Sequence, residues 1–271
     1  MLYHKEVCMR TLSRQQFFTI PTETFKMSKG TVQLPINYYD YGYAHFIFRV
    51  DYQAAQKKLA DTAFTPCKIF GKALALLNFF EYRDTAIGPY NEVGLSILCY
   101  PKNKKQPFMV PVHILHDAKK WQVGAYVINL PVTTEIAYLA GKEVWNYPKF
   151  VTRIDFSLIN RNFKGIVYDP DLKEPLVTLA GTIGALSTPK LKNASFISHT
   201  THKGTPLRTL TVVDTRFKIA YGFSGACVVN AKSNHSMAQN LRDLGMNGKK
   251  PIACMYSPQA QMMLCKGEPL S

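Results

Sequence analysis

Short runs rich in Val, Ile, Tyr and Phe, bounded by Pro, Gly, Asn and Asp, follow one another along most of this chain, and that succession is the tightest constraint on its fold. Runs of this kind, mostly about five to nine residues long, read as strands. They lie at 43–50, 68–80, 92–100, 108–115, 122–130, 150–158, 163–169, 174–183, 208–215 and 225–231. Helical spacing is confined to DYQAAQKKLA after an Asp51 cap, TTEIAYLAG capped by Thr133 or Thr134, and NHSMAQNLRDLG ending at Gly245. Strands without alternating helices exclude a doubly wound sheet. The chain is therefore expected to be mainly β, a β-rich α+β fold of sandwich or barrel type with a few peripheral helices. No Pro/Ser-rich linker divides it, so residues 1–271 are expected to form one domain.

Hydrophobic residues make up 46% of the 271, enough for a substantial core. The greasiest run, FGKALALLNFF, is broken by Lys72 and Asn78 and falls short of the ~18 apolar residues of a membrane helix. His4, Lys5, Glu6 and Arg10 occupy the place of a signal peptide's apolar stretch. Cys8, Cys67, Cys99, Cys227, Cys254 and Cys265 form no CxxC pair and are expected to be reduced. A soluble cytoplasmic protein without a membrane partner is expected. The net charge of +15 sits in small loop clusters such as Lys102, Lys104 and Lys105, without an aromatic-interleaved stripe, so nucleic acid is not an expected partner.

Several familiar motifs almost occur. YGFSGAC places Ser224 in a near nucleophile elbow, but Ala226 stands at the second Gly position. His113 and His116, and His199 and His202, are three apart, a spacing that sends strand side chains to opposite faces, so no metal site is expected. There is no phosphate loop or GxGxxG, and no cofactor is expected.

Lysine chemistry remains. An amine attacks a carbonyl only when neutral, and an ordinary lysine is neutral about once in a few thousand molecules at pH 7. Burial among apolar groups favours the neutral form. In WNYPKF, Lys149 stands among Trp145, Tyr147 and Phe150, with Pro148 fixing the backbone before it. The plain alternative is a lysine snorkelling between aromatics to solvent.

GKEVWNYPKF, with the upstream YRDTAIGPYNEVGL at 82–95, resembles the acetoacetate decarboxylase superfamily, whose members carry G-R-E-x-x-x-[YF]-P-K and an earlier G-x-Y-x-E in that order. The resemblance is specific in these two motifs and looser along the rest of the chain. It implies an antiparallel β-barrel or cone with a largely apolar interior, and a homo-oligomer. It assigns the Schiff-base amine to Lys149, a pocket carboxylate with acid/base duty to Glu92 and a structural position to Glu143. The chain departs from the family pattern as well. Acetoacetate decarboxylase is a standing example of a lysine activated by desolvation or a neighbouring cation, and the second lysine of its motif is Phe150 here. Ungapped matching puts the second pocket glutamate at Leu77 beside Asn78, and the carboxylate-binding arginine at Tyr41. Arg83 and Arg153 are candidate replacement cations, although Arg153 lies about 13 Å along a strand from Lys149. Tyr41, Leu77, Tyr147 and Phe150 are expected to line the pocket.

Together these residues point to a Schiff-base lyase acting on a β-keto acid or related small keto acid. The same imine supports aldol or dehydration chemistry, with Glu92 as acid/base. A different class is a non-catalytic small-molecule-binding protein on the same barrel, with Lys149 as a passive anchor. A buried, unpaired amine favours the enzyme; a salt bridge or an exposed amine favours the binder.

Overall fold

The computed structural model describes residues 17–107, 123–193 and 195–270. The strand expected at 108–115 lies outside these residues, as do Cys8, His113 and His116. In chain order the elements are β1 (Glu23–Lys26), β2 (Thr31–Leu34), β3 (Ile36–Asp51), α1 (Tyr52–Lys58), β4 (Phe64–Pro66), β5 (Lys72–Thr85), β6 (Tyr90–Pro101) and β7 (Gly124–Asn129). They continue with α2 (Glu135–Trp145), β8 (Ile154–Ile159), β9 (Asn162–Tyr168), β10 (Pro175–Thr182), β11 (Leu191–Lys192), β12 (Phe196–His202) and β13 (Thr205–Tyr221). The last are β14 (Cys227–Val229), α3 (Ser236–Asp243), β15 (Ala253–Leu264) and β16 (Glu268–Pro269).

Seven of these strands close into a ring in the order β13-β12-β7-β6-β5-β3-β15, with β15 returning to β13. Pairing around it is antiparallel, except that β12 runs parallel to β7 over two registered positions. Closure removes the unpaired edges that an open sheet of this size exposes. A separate sheet, β14-β10-β9-β8, covers part of the outside.

The period of two along each strand divides the core. On β3, Ala44, Phe46, Phe48 and Val50 pack with Phe163, Val167 and Leu179 of the covering sheet and with Met237 and Leu241 of α3. The alternate residues Tyr41 and Tyr43 join a second cluster with Tyr82, Tyr90, Val127, Phe217 and Met255, against which Phe196 packs. All seven ring strands contribute to that second cluster, so it fills the barrel. The helix α2 adds Ala137, Ala140 and Trp145 to it. The cluster that fills the barrel is largely apolar, and Glu92 and His45 are among the buried polar residues.

Asp51 caps α1 as expected, accepting from the backbone N–H of Gln53 and Ala54 at 2.9 and 3.2 Å. The helix α2 starts after Thr134 but runs four residues beyond Gly141, the end of the expected stretch, through the first half of the GKEVWNYPKF segment. Two ring strands escape the sequence pattern. FISHTTH on β12 lacks β-branched apolar alternation, and Pro258 interrupts β15, where the pairing with β3 and with β13 slips its register. Among the described residues no helix is long and apolar enough to cross a membrane.

Candidate active site

Backbone pairing brings the two halves of the site together. Residues 130–133 form an extended bridge between β6 and the segment after α2. On one side, Val93 N–H donates to Pro131 O (3.0 Å) and Thr133 N–H to Asn91 O (3.1 Å). On the other, Leu130 N–H donates to Pro148 O and Val132 N–H to Phe150 O, both at 3.0 Å. Glu92 and Lys149 thus stand across one short strand, and their side chains meet in a hydrogen-bonded ion pair between Lys149 Nζ and Glu92 Oε2. The two side chains are only 5% and 10% exposed. Tyr82 O–H donates to the other carboxylate oxygen at 3.3 Å.

The spacing of the motif has a physical cause. The helix ends at Asn146 in the left-handed conformation (φ 53°), and Tyr147 N–H folds back onto Gly141 O at 3.0 Å, which turns the chain toward the barrel. The Lys149 stem then lies against the helix at Gly141. A β-carbon there would overlap Lys149 Cδ and Cε, so the first residue of the motif has no side chain because its last residue occupies that space. Glu143 accepts from Ser28 N–H at 2.7 Å and pairs with the Ser28 hydroxyl, tying α2 to the β1–β2 turn. These contacts lie in the β1–β2 turn, outside the Lys149–Glu92 pair.

Three rows of directly paired residues face inward around Glu92. The middle row is Tyr43, Phe80 and Glu92. To one side lies Tyr41, Tyr82 and Tyr90, joined by Tyr38, whose hydroxyl meets that of Tyr90 at 2.8 Å. Burial, with the Glu92 charge adding to it, pushes the phenols of Tyr38, Tyr82 and Tyr90 well above their usual range. To the other side lies His45, Asn78 and Gly94. Burial pushes the His45 imidazole down to about 4, opposed by the polar Asn78 side chain beside it.

The expected pocket residues divide between this interior and elsewhere. Tyr41 is buried 5.5 Å from the Tyr82 ring, one row from Glu92. Tyr147 is buried in the barrel, its hydroxyl 2.7 Å from Ser198 Oγ, and burial pushes its phenol up to about 12. Leu77 faces outward, paired with Phe46 and Leu95 under the covering sheet; the inward neighbour is Asn78. Phe150 also turns to the outer layer, its ring 4.2 Å from His235. One residue of displacement along an extended segment reverses the face, which removes both from the wall around Lys149. Arg83 is held by Asp40 at 2.7 Å and Glu81 at 2.8 Å, and donates to Pro258 O. Arg153 is 69% exposed and paired with Asp155. Neither arginine is placed to supply the expected cation beside Lys149. Ser224 Oγ accepts from Thr182 N–H at 2.7 Å and is exposed. His45 was not legible as a site residue; its only signal is its place two residues after Tyr43 on the inward face.

The sequence profile of the acetoacetate decarboxylase (ADC) family matches residues 20–262. This chain belongs to that family. A search of curated proteins returned no match. Among solved structures, an acetoacetate decarboxylase from Legionella pneumophila subsp. pneumophila str. Philadelphia 1 superposes with a TM-score of 0.58 at 12% identity, over 88% of this chain and 87% of that one. The enduracididine biosynthesis enzyme MppR, complexed with pyruvate, gives 0.59 at 12% identity over 90% and 93%. An acetoacetate decarboxylase-like enzyme from Sphingomonas wittichii RW1 gives 0.53 at 15% identity over 89% and 94%. The β-barrel expected from the resemblance is thus the fold of acetoacetate decarboxylase structures.

Proposed function

We propose that this protein is a Schiff-base lyase acting on a β-keto acid or a related small keto acid, with Lys149 as the imine-forming amine. The observation that carries this is the burial of the motif lysine, Lys149, only 5% exposed, inside a barrel of the acetoacetate decarboxylase family. Desolvating two opposite charges costs several kcal/mol per ion before their attraction is counted, so a buried pair with only partial compensation is retained for more than stability. Passing the pair's proton from Nζ to Glu92 gives a neutral amine and a carboxylic acid without moving either residue, and the Tyr82 hydroxyl steadies the acid from behind.

The neutral amine then adds to the ketone carbon. Glu92 returns its proton to the carbonyl oxygen, water leaves, and the protonated imine accepts the electron pair of the adjacent carbon–carboxylate bond as carbon dioxide departs. Protonation of the resulting enamine and addition of water release the product and the lysine. Aldol or dehydration chemistry begins from the same imine. MppR, solved with pyruvate, makes pyruvate a useful second probe beside acetoacetate. A cytoplasmic homo-oligomer of single-domain chains fits the proposal.

The salt bridge itself favours the second reading, a binding protein in which Lys149 stays charged and anchors a ligand. Borohydride reduction in the presence of acetoacetate, and separately of pyruvate, separates the two. Covalent chemistry gives a reduced adduct by intact mass in the native chain and none in Lys149→Ala. No adduct with either compound would overturn the Schiff-base reading and leave the anchor.

A further inference from the structure

Inside the barrel, one row from Glu92, His45 is only 5% exposed and its Nε2 has no hydrogen-bond partner. The adjacent Asn78 carbonyl oxygen is likewise unpartnered. Leaving a buried polar atom unsatisfied costs roughly as much as a lost hydrogen bond, and such atoms call for an explanation. The surroundings do not supply one: the His45 ring contacts Tyr43 at 4.6 Å, Phe80 at 5.1 Å and Phe196 at 5.3 Å between ring centres, all through ring faces or edges. Phe196 belongs to β12, which is not a neighbour of β3 in the ring, so His45 projects across the barrel interior.

We infer that His45, oriented by Asn78, is a specificity-determining residue that hydrogen-bonds a neutral polar group on the far end of the keto acid held at Lys149. This deepens the Schiff-base proposal and rests on it for the position of the substrate carbonyl. His45 on β3 stands one row along and two strands across from Glu92 on β6, a diagonal of about 12 Å between backbone positions at about 7 Å per row and about 4.8 Å per strand. The inward side chains take up part of that span, and a short carbon chain ending in a hydroxyl, with a hydrogen bond of about 2.8 Å, bridges the rest. The phenols of the Tyr41, Tyr82 and Tyr90 row, all three buried, close the side opposite His45. The substrate chain therefore extends toward His45 and away from the tyrosines. An uncharged imidazole next to an amide selects a hydroxyl or amide group there over a second carboxylate.

The test compares 4-hydroxy-2-oxobutanoate with 2-oxobutanoate, which lacks the hydroxyl, by calorimetric binding to the native chain, His45→Phe and His45→Gln. Phe keeps the ring contacts and removes the nitrogen; Gln restores a polar group. The expected result is a preference of about tenfold or more for the hydroxylated acid in the native chain, the scale of one well-placed hydrogen bond. His45→Phe should bring it within about twofold, and His45→Gln should recover part of it. Borohydride trapping with pyruvate, run beside the binding measurement in all three, reports separately whether Lys149 forms an imine. No preference in the native chain, or an undiminished one in His45→Phe, would overturn the inference. A native preference lost in His45→Phe with no adduct anywhere would support the subsite while overturning the covalent role of Lys149.

Discussion

At the residue scale the site depends on what is missing at Gly141 as much as on what is present at Lys149. Gly141→Ala puts a methyl group where the lysine stem lies. Overpacking of this kind costs about 1–3 kcal/mol, and the flexible lysine is the part able to give way. We expect a modest loss of thermal stability together with at least about a tenfold drop in borohydride-trapped adduct, measured by melting and intact mass on one preparation. A stable Gly141→Ala that still traps at the native rate would show the contact to be incidental. His45 sets a pH dependence. Its folded value of about 4 lies below the unfolded 6.5 because burial disfavours the charged ring. As pH falls below 6.5 the unfolded chain takes up the proton first, so stability is complete above that value, declines between about 6.5 and 4, and levels off below. The loss is up to about 3 kcal/mol. Urea midpoints across that window should slope in the native chain and flatten at this component in His45→Phe. Gly141 and Lys149 lie in one quoted segment, yet their contact was not legible there, because it needs a helix over the first half and a turn at Asn146 to fold the segment back on itself.

At the element scale α2 is the platform. Its inward residues Ala137, Ala140, Gly141 and Trp145 are buried, and Glu143 on another face holds the Ser28 turn. Glu143→Ala removes a charge-assisted contact outside the barrel, at a cost of about 1–2 kcal/mol. We expect the melting temperature to fall by a few degrees while adduct formation stays within about twofold, a separation that a catalytic Glu143 would not produce. The helix caps were readable because their signals are local: Asp51 precedes α1, and Gly245, at positive φ, follows α3. The extension of α2 through Trp145 was not, since its last turns are fixed by packing against the barrel. The faces of Leu77 and Phe150 were lost for a related reason. A family pattern matched without gaps carries a one-residue uncertainty, and on extended chain one residue exchanges inside for outside.

At the scale of the whole molecule, two apolar layers share the walls formed by β3, β5 and β6. Phe46 sits at their outer junction, fully buried, with ring contacts to Phe79, Phe163 and Phe223. Phe46→Ala should cost about 3–5 kcal/mol and shift tryptophan fluorescence and far-UV dichroism to the same lower urea midpoint. Two separated transitions would show that the covering sheet unfolds independently of the barrel. The sequence by itself determined the β-rich class, most strand locations and the two motif residues that prove to be in contact, because side-chain alternation, turn residues and a quoted motif are properties of neighbouring positions. Only the tertiary structure decided that the sheet closes, that Lys149 is buried yet paired with Glu92, that both candidate arginines are spoken for elsewhere, and that His45 points into the same interior. Those outcomes depend on strand register and ring closure between residues far apart in the chain, where a shift of one position exchanges the core for the outer face.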